Sequence, residues 1–179
     1  MLRLSDDALI EALLVVEGGF VNDHVDLGGA TNFGITQVTL GEFRHLGRPA
    51  TAEEVKNMPV EEAKMIYGQK YIEGPGFDSI AWDKLRALVV DMFVNHGPRG
   101  ATLLFQKALG LPGDGILGPR TLAAISTPAS QSTEKSQSVF DAILAERIRF
   151  YGRIITHDPT QSKFAAGWLD RAADFLSPN

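Results

Sequence analysis

The chain has 179 residues with 44% hydrophobic and 22% charged side chains, which suits one compact domain, or a domain with a small lobe, and excludes disordered and fibrous classes. Its formal net charge of −5 argues against a nucleic-acid binder that depends on neutralising phosphates. Because the chain contains no cysteine, a disulfide scaffold, a thiolate nucleophile and a cysteine-based zinc site are excluded.

The amino terminus indicates neither a secretory signal peptide nor a membrane anchor. Arg3 is followed by Asp6 and Asp7 before the apolar stretch, and a small-residue cleavage site is missing. No apolar run approaches the roughly 20 residues that span a bilayer. We therefore expect a protein that starts in the cytoplasm and does not insert stably into membranes.

A helix and a turn-rich segment open the chain. Ser5 is a good N-cap, apolar residues recur after it at helical spacing, and the glycine pair at 18–19 ends the helix. Residues 20–36 are rich in Asn, Asp and Gly, which predicts tight turns or a small hairpin. Thr36 then caps a short helix that runs to about Leu46.

Helices follow one another in the middle of the chain. Thr51 and Glu54 form a capping box, and Pro59 has the position of a first-turn proline in a helix that runs to about Tyr71. Residues 83–96 are apolar nearly all round, which is typical of a central, buried helix.

The remaining residues also predict helices, separated by turns and one polar loop. They read as a helix over 98–110, a short helix near 122–125, a mobile surface loop over 126–137, a long amphipathic helix over 139–155 and a last helix over 164–176. We predict a mainly α fold, a helical bundle around a central buried helix, with a small β-hairpin-like insertion after the first helix.

Glu17 is the first candidate for chemistry. It lies beside Ile10, Leu13 and Leu14 on the apolar face of the first helix. A carboxylate there is costly to bury, so its pKa should rise and a proton should be held near neutral pH, as a general acid requires. The alternative is that Glu17, one residue before the helix stop, turns to solvent or makes a structural ion pair.

Asp26 and Thr31 follow in the polar, glycine-rich turn. A carboxylate at Asp26 would stay hydrated and ionised, and an acid held neutral opposite an ionised carboxylate is the arrangement of glycoside hydrolysis. Ordinary turn chemistry, with Asp26 in an Asx turn, describes the same residues equally well.

The stretch EGGFVNDHVDLGGATNFGIT, Glu17–Thr36, resembles the glycoside hydrolase family 108 lysozymes, or N-acetylmuramidases. Their signature is a Glu-Gly-Gly-Tyr run followed by an Asp/Gly-rich turn that ends in Gly-Ile-Thr, and Phe20 stands here in place of Tyr. The similarity continues beyond the signature over Ile66–Tyr71, Asp91–Gly97, Phe105–Thr121 and Phe164–Arg171.

The resemblance implies a lysozyme-like fold and a reaction. Glu17 is implied as the catalytic acid that protonates the departing sugar oxygen. Asp26 would stabilise the oxocarbenium-like transition state or activate water, and Thr31 would help to hold that water. Direct attack by water is the preferred interpretation.

The resemblance also implies how the chain is organised. We predict one compact domain over 1–179, with a catalytic lobe over 1–80 and a helical half over 81–179 that resembles a peptidoglycan-binding region. The expected partner is the glycan strand of bacterial peptidoglycan. Nucleic acid is not expected as a partner. The chain itself is expected to be a monomer.

Five further side chains are candidates for binding substrate. Asp91 and Asn95 form an i, i+4 polar pair that could line a cleft floor or, alternatively, bond backbone groups of a neighbouring loop. Tyr67 and Tyr71 could stack on sugar rings, although aromatics at helical spacing often belong to a core. Phe33, in the turn, completes the set.

Other charged and polar residues indicate structure more than function. The four histidines lack a ligand spacing, so we predict no metal and no cofactor. His96 is expected to be a hydrogen-bonded core histidine. Arg147, Arg149 and Arg153 are expected to form a solvated helix face.

The preferred function is a muramidase that cleaves the β-1,4 bond between N-acetylmuramic acid and N-acetylglucosamine. It would act as a phage endolysin, held in the host cytoplasm until it is released to the cell wall. A lytic transglycosylase, which also depends on one glutamate, and a non-enzymatic wall-binding module are the alternatives.

Overall fold

The structure is a computed structural model in which the chain divides into two units, residues 1–74 and residues 75–179. It describes residues 9–11, 14, 19–21, 29–126 and 133–176. Within these ranges the fold is mainly helical with one small antiparallel sheet, which confirms the predicted mainly α, lysozyme-like class.

The first unit combines a hairpin with short helices. Residues 9–11 and 14 are helical, in agreement with the predicted first helix. The later elements are β1 (Thr31–Asn32), β2 (Ile35–Thr36), α1 (Gln37–Phe43), α2 (Ala52–Lys56), α3 (Val60–Tyr67) and a π-helical segment (Gly68–Glu73).

The hairpin turns through two residues with left-handed backbone. Asn32 pairs with Ile35, and the intervening Phe33 and Gly34 have φ of 52° and 72°. Positive φ at both central residues matches the right-handed twist of the strands, which is why this turn type joins short hairpins. The predicted small hairpin is thus confirmed in its described part.

Caps define the helices of the first unit. Thr36 accepts a hydrogen bond from the Thr39 backbone N–H at the start of α1, and the predicted box of Thr51 and Glu54 is present in both directions. The sequence predicts Pro59 within the first turn of α3. It is instead the N-cap, the residue immediately before that turn. Past Tyr67 the chain continues as π-helix, so the predicted helix changes its hydrogen-bond pattern before Tyr71.

The second unit is helical throughout its regular elements. In chain order these are a 3₁₀ turn (Phe77–Ser79), α4 (Asp83–Asn95), α5 (Gly97–Ala108), α6 (Pro119–Ile125), α7 (Thr133–His157), a 3₁₀ segment (Pro159–Phe164), α8 (Ala165–Ala173) and a 3₁₀ turn (Asp174–Leu176). No helix among those described is long and apolar enough to cross a bilayer.

Helix α4 is the centre of this unit, as the sequence predicts. Leu88, Val89, Val90 and Met92 are all fully buried, and α4 packs on both α5 and α7. Its buried surface nevertheless includes Asp91, which is 6% exposed. A charge at that depth requires a partner of opposite sign.

Two arginines supply that partner. Arg147 of α7 lies 2.7 Å from one Asp91 oxygen, and Arg171 of α8 lies 2.7 Å from the other. Arg147 also donates from Nε to the Tyr151 hydroxyl at 2.7 Å. The expectation that Arg147 is solvated with Arg149 and Arg153 is therefore wrong for Arg147, which is fully buried.

The helical stripe explains this correction. Phe140, Ile143, Arg147 and Tyr151 follow one another at helical spacing on the buried side of α7, whereas Ile148 is 39% exposed. The loop predicted over 126–137 is also shorter than expected, because α7 already begins at Thr133 and residues 127–132 lie outside the described ranges.

A glutamine organises the glycine-rich turn between α5 and α6. Gln106, 2% exposed, donates to the Asp114 carboxylate at 2.7 Å and accepts from the Gly115 backbone N–H at 2.9 Å. Asp114 also accepts a hydrogen bond from the Ile116 backbone N–H. This bond is the largest cause that lowers the pKa of Asp114, and the bond from Gln106 is the second. The turn thus braces two helices.

Replacing Asp91 by Asn should destabilise the second unit by about 3–5 kcal/mol, because two arginines lose a shared counter-charge in a buried site. Both tryptophans of the chain lie in this unit, so their fluorescence during urea unfolding measures the change. Asp141→Asn, at an exposed position on α7, is the matched control and should stay within about 0.5 kcal/mol. Equal midpoints for the two variants would contradict this role of Asp91.

Replacing Gly41 by Ala should destabilise the first unit by about 1–3 kcal/mol, since a Cβ there would lie 2.9 Å from the Ala50 backbone nitrogen and would collide with the Arg48 carbonyl. Gly68→Ala is the control, because its Cβ meets only the Ile10 side chain at 3.6 Å. Circular dichroism during thermal unfolding measures both. A Gly41→Ala variant as stable as the control would show that this close approach is not rigid.

Candidate functional site

Of the three predicted catalytic residues, the structure describes Thr31. Glu17 and Asp26 fall outside the described residues. Thr31, half-buried, is the first residue of β1. The described residues around these positions therefore define the frame of the candidate site.

A pair of backbone hydrogen bonds closes the segment that contains Asp26. Val21 donates to the Thr31 carbonyl, and Thr31 donates back to the Val21 carbonyl, each at 2.8 Å. The chain therefore enters and leaves this segment at one point of the sheet. Thr31 holds that closure through its backbone N–H and carbonyl.

The end of the closed segment is fixed by one side chain. Gln37 accepts from the Ala30 backbone N–H at 3.1 Å and donates to the Ala50 carbonyl at 2.8 Å. Gly29, with φ of 70°, lies against the Gln37 amide oxygen, where a Cβ would collide. A left-handed backbone and this contact together require glycine.

Asn32 is a structural residue of the site that the sequence interpretation missed. Its side chain is 5% exposed and donates to the carbonyls of Val55, at 3.1 Å, and Lys56, at 3.3 Å. These are the last two carbonyls of α2, and the Val55 carbonyl also accepts from the Met58 backbone N–H at 3.3 Å. Asn32 thereby ties β1 to α2, and an Asn preceding the Phe-Gly turn was the available signal.

Two of the predicted substrate residues meet on the other side of the hairpin. The Tyr67 hydroxyl donates to the Phe33 carbonyl at 3.0 Å. Tyr67 is only 2% exposed, so the prediction that its ring stacks on a sugar is corrected: it supports the left-handed Phe33 turn. Phe33 itself is half-buried.

Tyr71 keeps more exposed surface than Tyr67. Its ring centroid lies 5.1 Å from that of Tyr67, and the Lys70 ammonium lies 5.6 Å from its centre. A half-buried ring with a supporting ring and a cation beside it is suited to sugar contact. A sugar-binding role for Tyr71 stays a prediction.

Phe20, the fourth residue of the Glu-Gly-Gly-Phe run, lines a shallow groove. It is 37% exposed, and the Lys56 ammonium lies 6.0 Å from its ring centre. Glu53 and Asn57 of the neighbouring helix complete a cavity of about 340 Å³. Acidic, cationic and amide groups thus lie around Phe20, a described residue of the signature.

The other two predicted substrate residues belong to the second unit. Asp91 is paired with the side chains of Arg147 and Arg171, a structural role that differs from both the predicted cleft floor and the predicted bonds to loop backbone. Asn95 is exposed and donates from Nδ2 to the Asp91 carbonyl one turn earlier, at 2.7 Å. Its amide oxygen remains available as an acceptor.

His96 is neutral at physiological pH. Burial and the nearby Arg147 lower its pKa to about 4, although Asp91 opposes that shift. Its Nε2 atom is shielded from solvent and has no hydrogen-bond partner in the described part of the chain. The expected hydrogen-bonded core histidine therefore has one unsatisfied nitrogen.

Metal binding finds no support among the described side chains. No group of three or more His, Asp or Glu residues that could hold an ion occurs within those ranges.

His96 makes folding stability depend on pH. Because its folded pKa lies below the ordinary value of about 6.5, the unfolded chain takes up the proton first, and the contribution of His96 is complete above pH 6.5 and declines as the pH falls toward 4. The wild type should lose up to about 2.5 kcal/mol more than His96→Asn between pH 7 and pH 4.5 in urea unfolding. A ring titration by NMR with a midpoint of 6 or higher would contradict this.

Comparison with known proteins assigns both parts of the chain. Residues 10–97 match the family model described as Glycosyl hydrolase 108, and residues 100–173 match the one described as Predicted Peptidoglycan domain. The structure of Brucella abortus SagA is similar at a TM-score of 0.70 and 27% identity, covering 96% of this chain and 91% of that chain. No curated protein sequence matches.

These findings confirm the resemblance that the signature indicates. A glycosidase domain followed by a peptidoglycan domain makes the chain a peptidoglycan-degrading glycosidase. The chain belongs to the glycosyl hydrolase 108 family, as a lysozyme-like protein with a C-terminal peptidoglycan-binding region.

Proposed function

We propose that the chain is a muramidase, which hydrolyses the β-1,4 bond between N-acetylmuramic acid and N-acetylglucosamine. The observation that carries this proposal is the family match over residues 10–97, which contains Glu17, Asp26 and Thr31 in one stretch. Peptidoglycan is the substrate that the second matched domain supports.

Glu17 is the proposed general acid. The sequence predicts Glu17 on the same helix face as Ile10 and Leu14, and these two residues are buried, at 3% and 8% exposure. A carboxyl group on the same side of such a helix holds its proton to a higher pH than in water, which lets it protonate the leaving oxygen. Cleavage then proceeds through an oxocarbenium-like transition state.

Asp26 and Thr31 are the proposed partners of Glu17. Asp26 stabilises the positive charge on the sugar or activates water, and Thr31 helps to hold that water. Support comes from the bridge between Val21 and Thr31, which brings both ends of the Asp26 segment to the strand that carries Thr31. Direct attack by water requires ~6.5–9.5 Å between the two carboxyl groups.

We also propose the biological setting. The chain acts as a monomeric endolysin of phage type, held in the host cytoplasm and then released to the wall. The small size, the net charge of −5 and the lack of cysteine are compatible with a folded enzyme stored in a reducing compartment.

Replacing Glu17 by Gln should reduce the rate of peptidoglycan hydrolysis about 10²–10⁴-fold, because the amide cannot donate a proton to the leaving oxygen. New reducing ends from purified peptidoglycan measure the rate. Glu11→Gln is the matched control, since Glu11 is an exposed residue near the same place in the sequence that pairs with Lys64 at 2.8 Å. Full activity in Glu17→Gln would overturn the assignment.

Mass spectrometry of the wild-type products separates the competing reactions. A muramidase releases fragments with reducing N-acetylmuramic acid ends. Fragments with 1,6-anhydro ends would identify a lytic transglycosylase instead, and the absence of any released fragment would identify a wall-binding module without this activity.

A further inference from the structure

The second unit contains an open groove of about 630 Å³. Its walls come from the end of α4, from α5, from α7 and from α8. This volume lies within the roughly 300–1,000 Å³ of small-ligand sites. The main residues of this groove are Asn95, His96, Leu103, Tyr151, Gly167 and Trp168.

Aromatic rings form one wall of the groove. Trp168 is stacked on Tyr151, with centroids 5.4 Å apart and planes inclined by 21°. Tyr151 is 5% exposed, whereas Trp168 is only half-buried. Phe164, 47% exposed, lies 5.9 Å from Trp168 and extends the aromatic surface. A rigidly backed, partly exposed indole is a platform for a flat apolar face.

Neutral polar groups lie across from this platform. Asn95 offers its amide oxygen, and His96 contributes an Nε2 atom that has no hydrogen-bond partner within the described ranges. Because His96 Nε2 is shielded from solvent, the exposed Asn95 amide is the polar group that the groove offers to a ligand.

Most of the described residues that line the groove are uncharged. The exception is Arg171, whose guanidinium contacts Asp91 at 2.7 and 2.8 Å and shares that carboxylate with Arg147. Arg171 is thus held against the core, and the rest of the described lining offers aromatic, aliphatic and amide surface. An uncharged ligand with a flat face and hydroxyl or amide edges fits this surface.

We propose that this groove is a second glycan-binding site, which holds an N-acetylhexosamine unit of the peptidoglycan strand against Trp168. The proposal rests on peptidoglycan being the substrate, and it names glycan, not peptide, as the recognised part. The proposal gives a role to three residues of the Phe164–Arg171 stretch that resembles the family. Trp168 is the platform, Phe164 extends it, and Arg171 fixes α8 to Asp91.

Gly167 provides a direct way to block the groove. It lies in the interior of α8, it lines the groove, and a Cβ at this position would meet no atom of the described residues within 4 Å. A larger side chain therefore fills the groove without a steric clash, and it also suits a helix better than glycine does. Gly152 on α7 is a matched control, being helical, exposed and equally open, but outside the groove lining.

The test is an NMR titration of the full chain with the N-acetylglucosamine tetramer. The chain has two tryptophans, so the indole N–H spectrum has two signals, which Trp168→Phe assigns. We expect a saturable shift of the Trp168 signal, a Kd at least tenfold higher in Gly167→Gln, and an unchanged Kd in Gly152→Gln. A Trp168 signal that does not move, or equal Kd values in the two glycine variants, would overturn the proposal.

A peptide probe completes the design. If the Trp168 signal saturates with the free stem peptide of peptidoglycan and not with the tetramer, the groove binds peptide and the proposal is wrong. This titration measures binding without cleavage, so its outcome is independent of whether Glu17 is catalytic. Failure of the muramidase assignment appears in the product analysis, and failure of the second site appears in the spectrum.

Discussion

The buried carboxylate of Asp91 is the interaction on which the second unit depends. It lies on α4 and receives Arg147 from α7 and Arg171 from α8, so one charge fixes three helices. Arg147 in turn bonds Tyr151, which supports Trp168. The geometry of the aromatic groove thus follows from an ion cluster in the core, and a change at Asp91 reaches the groove surface through Tyr151.

The first unit is built on hydrogen bonds that tie a very short sheet to helix ends. Two-residue strands bury too little surface to be stable alone. Asn32 bonds the last carbonyls of α2, and the Tyr67 hydroxyl bonds the Phe33 carbonyl, so the end of β1 and the turn that follows are both anchored to helices. These contacts fix the strand that carries Thr31.

Local sequence patterns predicted the helices and the hairpin. The burial and pairing of individual side chains depend on tertiary contacts, which these patterns do not contain. Short-range spacing predicted the capping box of Thr51 and Glu54 and the central helix. The signature that begins at Glu17 predicted the family. Arg147 could not be predicted, because a charge occurs at a buried helical position only when a residue as remote as Asp91 neutralises it. The sugar-stacking prediction for Tyr67 was wrong for a similar reason. Its spacing indicates a ring on a helix face, but the burial of that ring depends on which other residues cover the face.

The bond pair between Val21 and Thr31 has a consequence for how this site can vary. It holds residues 21 and 31 together at the sheet, so a change in the number of residues between them alters the closure entropy only slowly. The number of residues between Val21 and Thr31 can therefore change at a small entropic cost while this pair of backbone hydrogen bonds is kept.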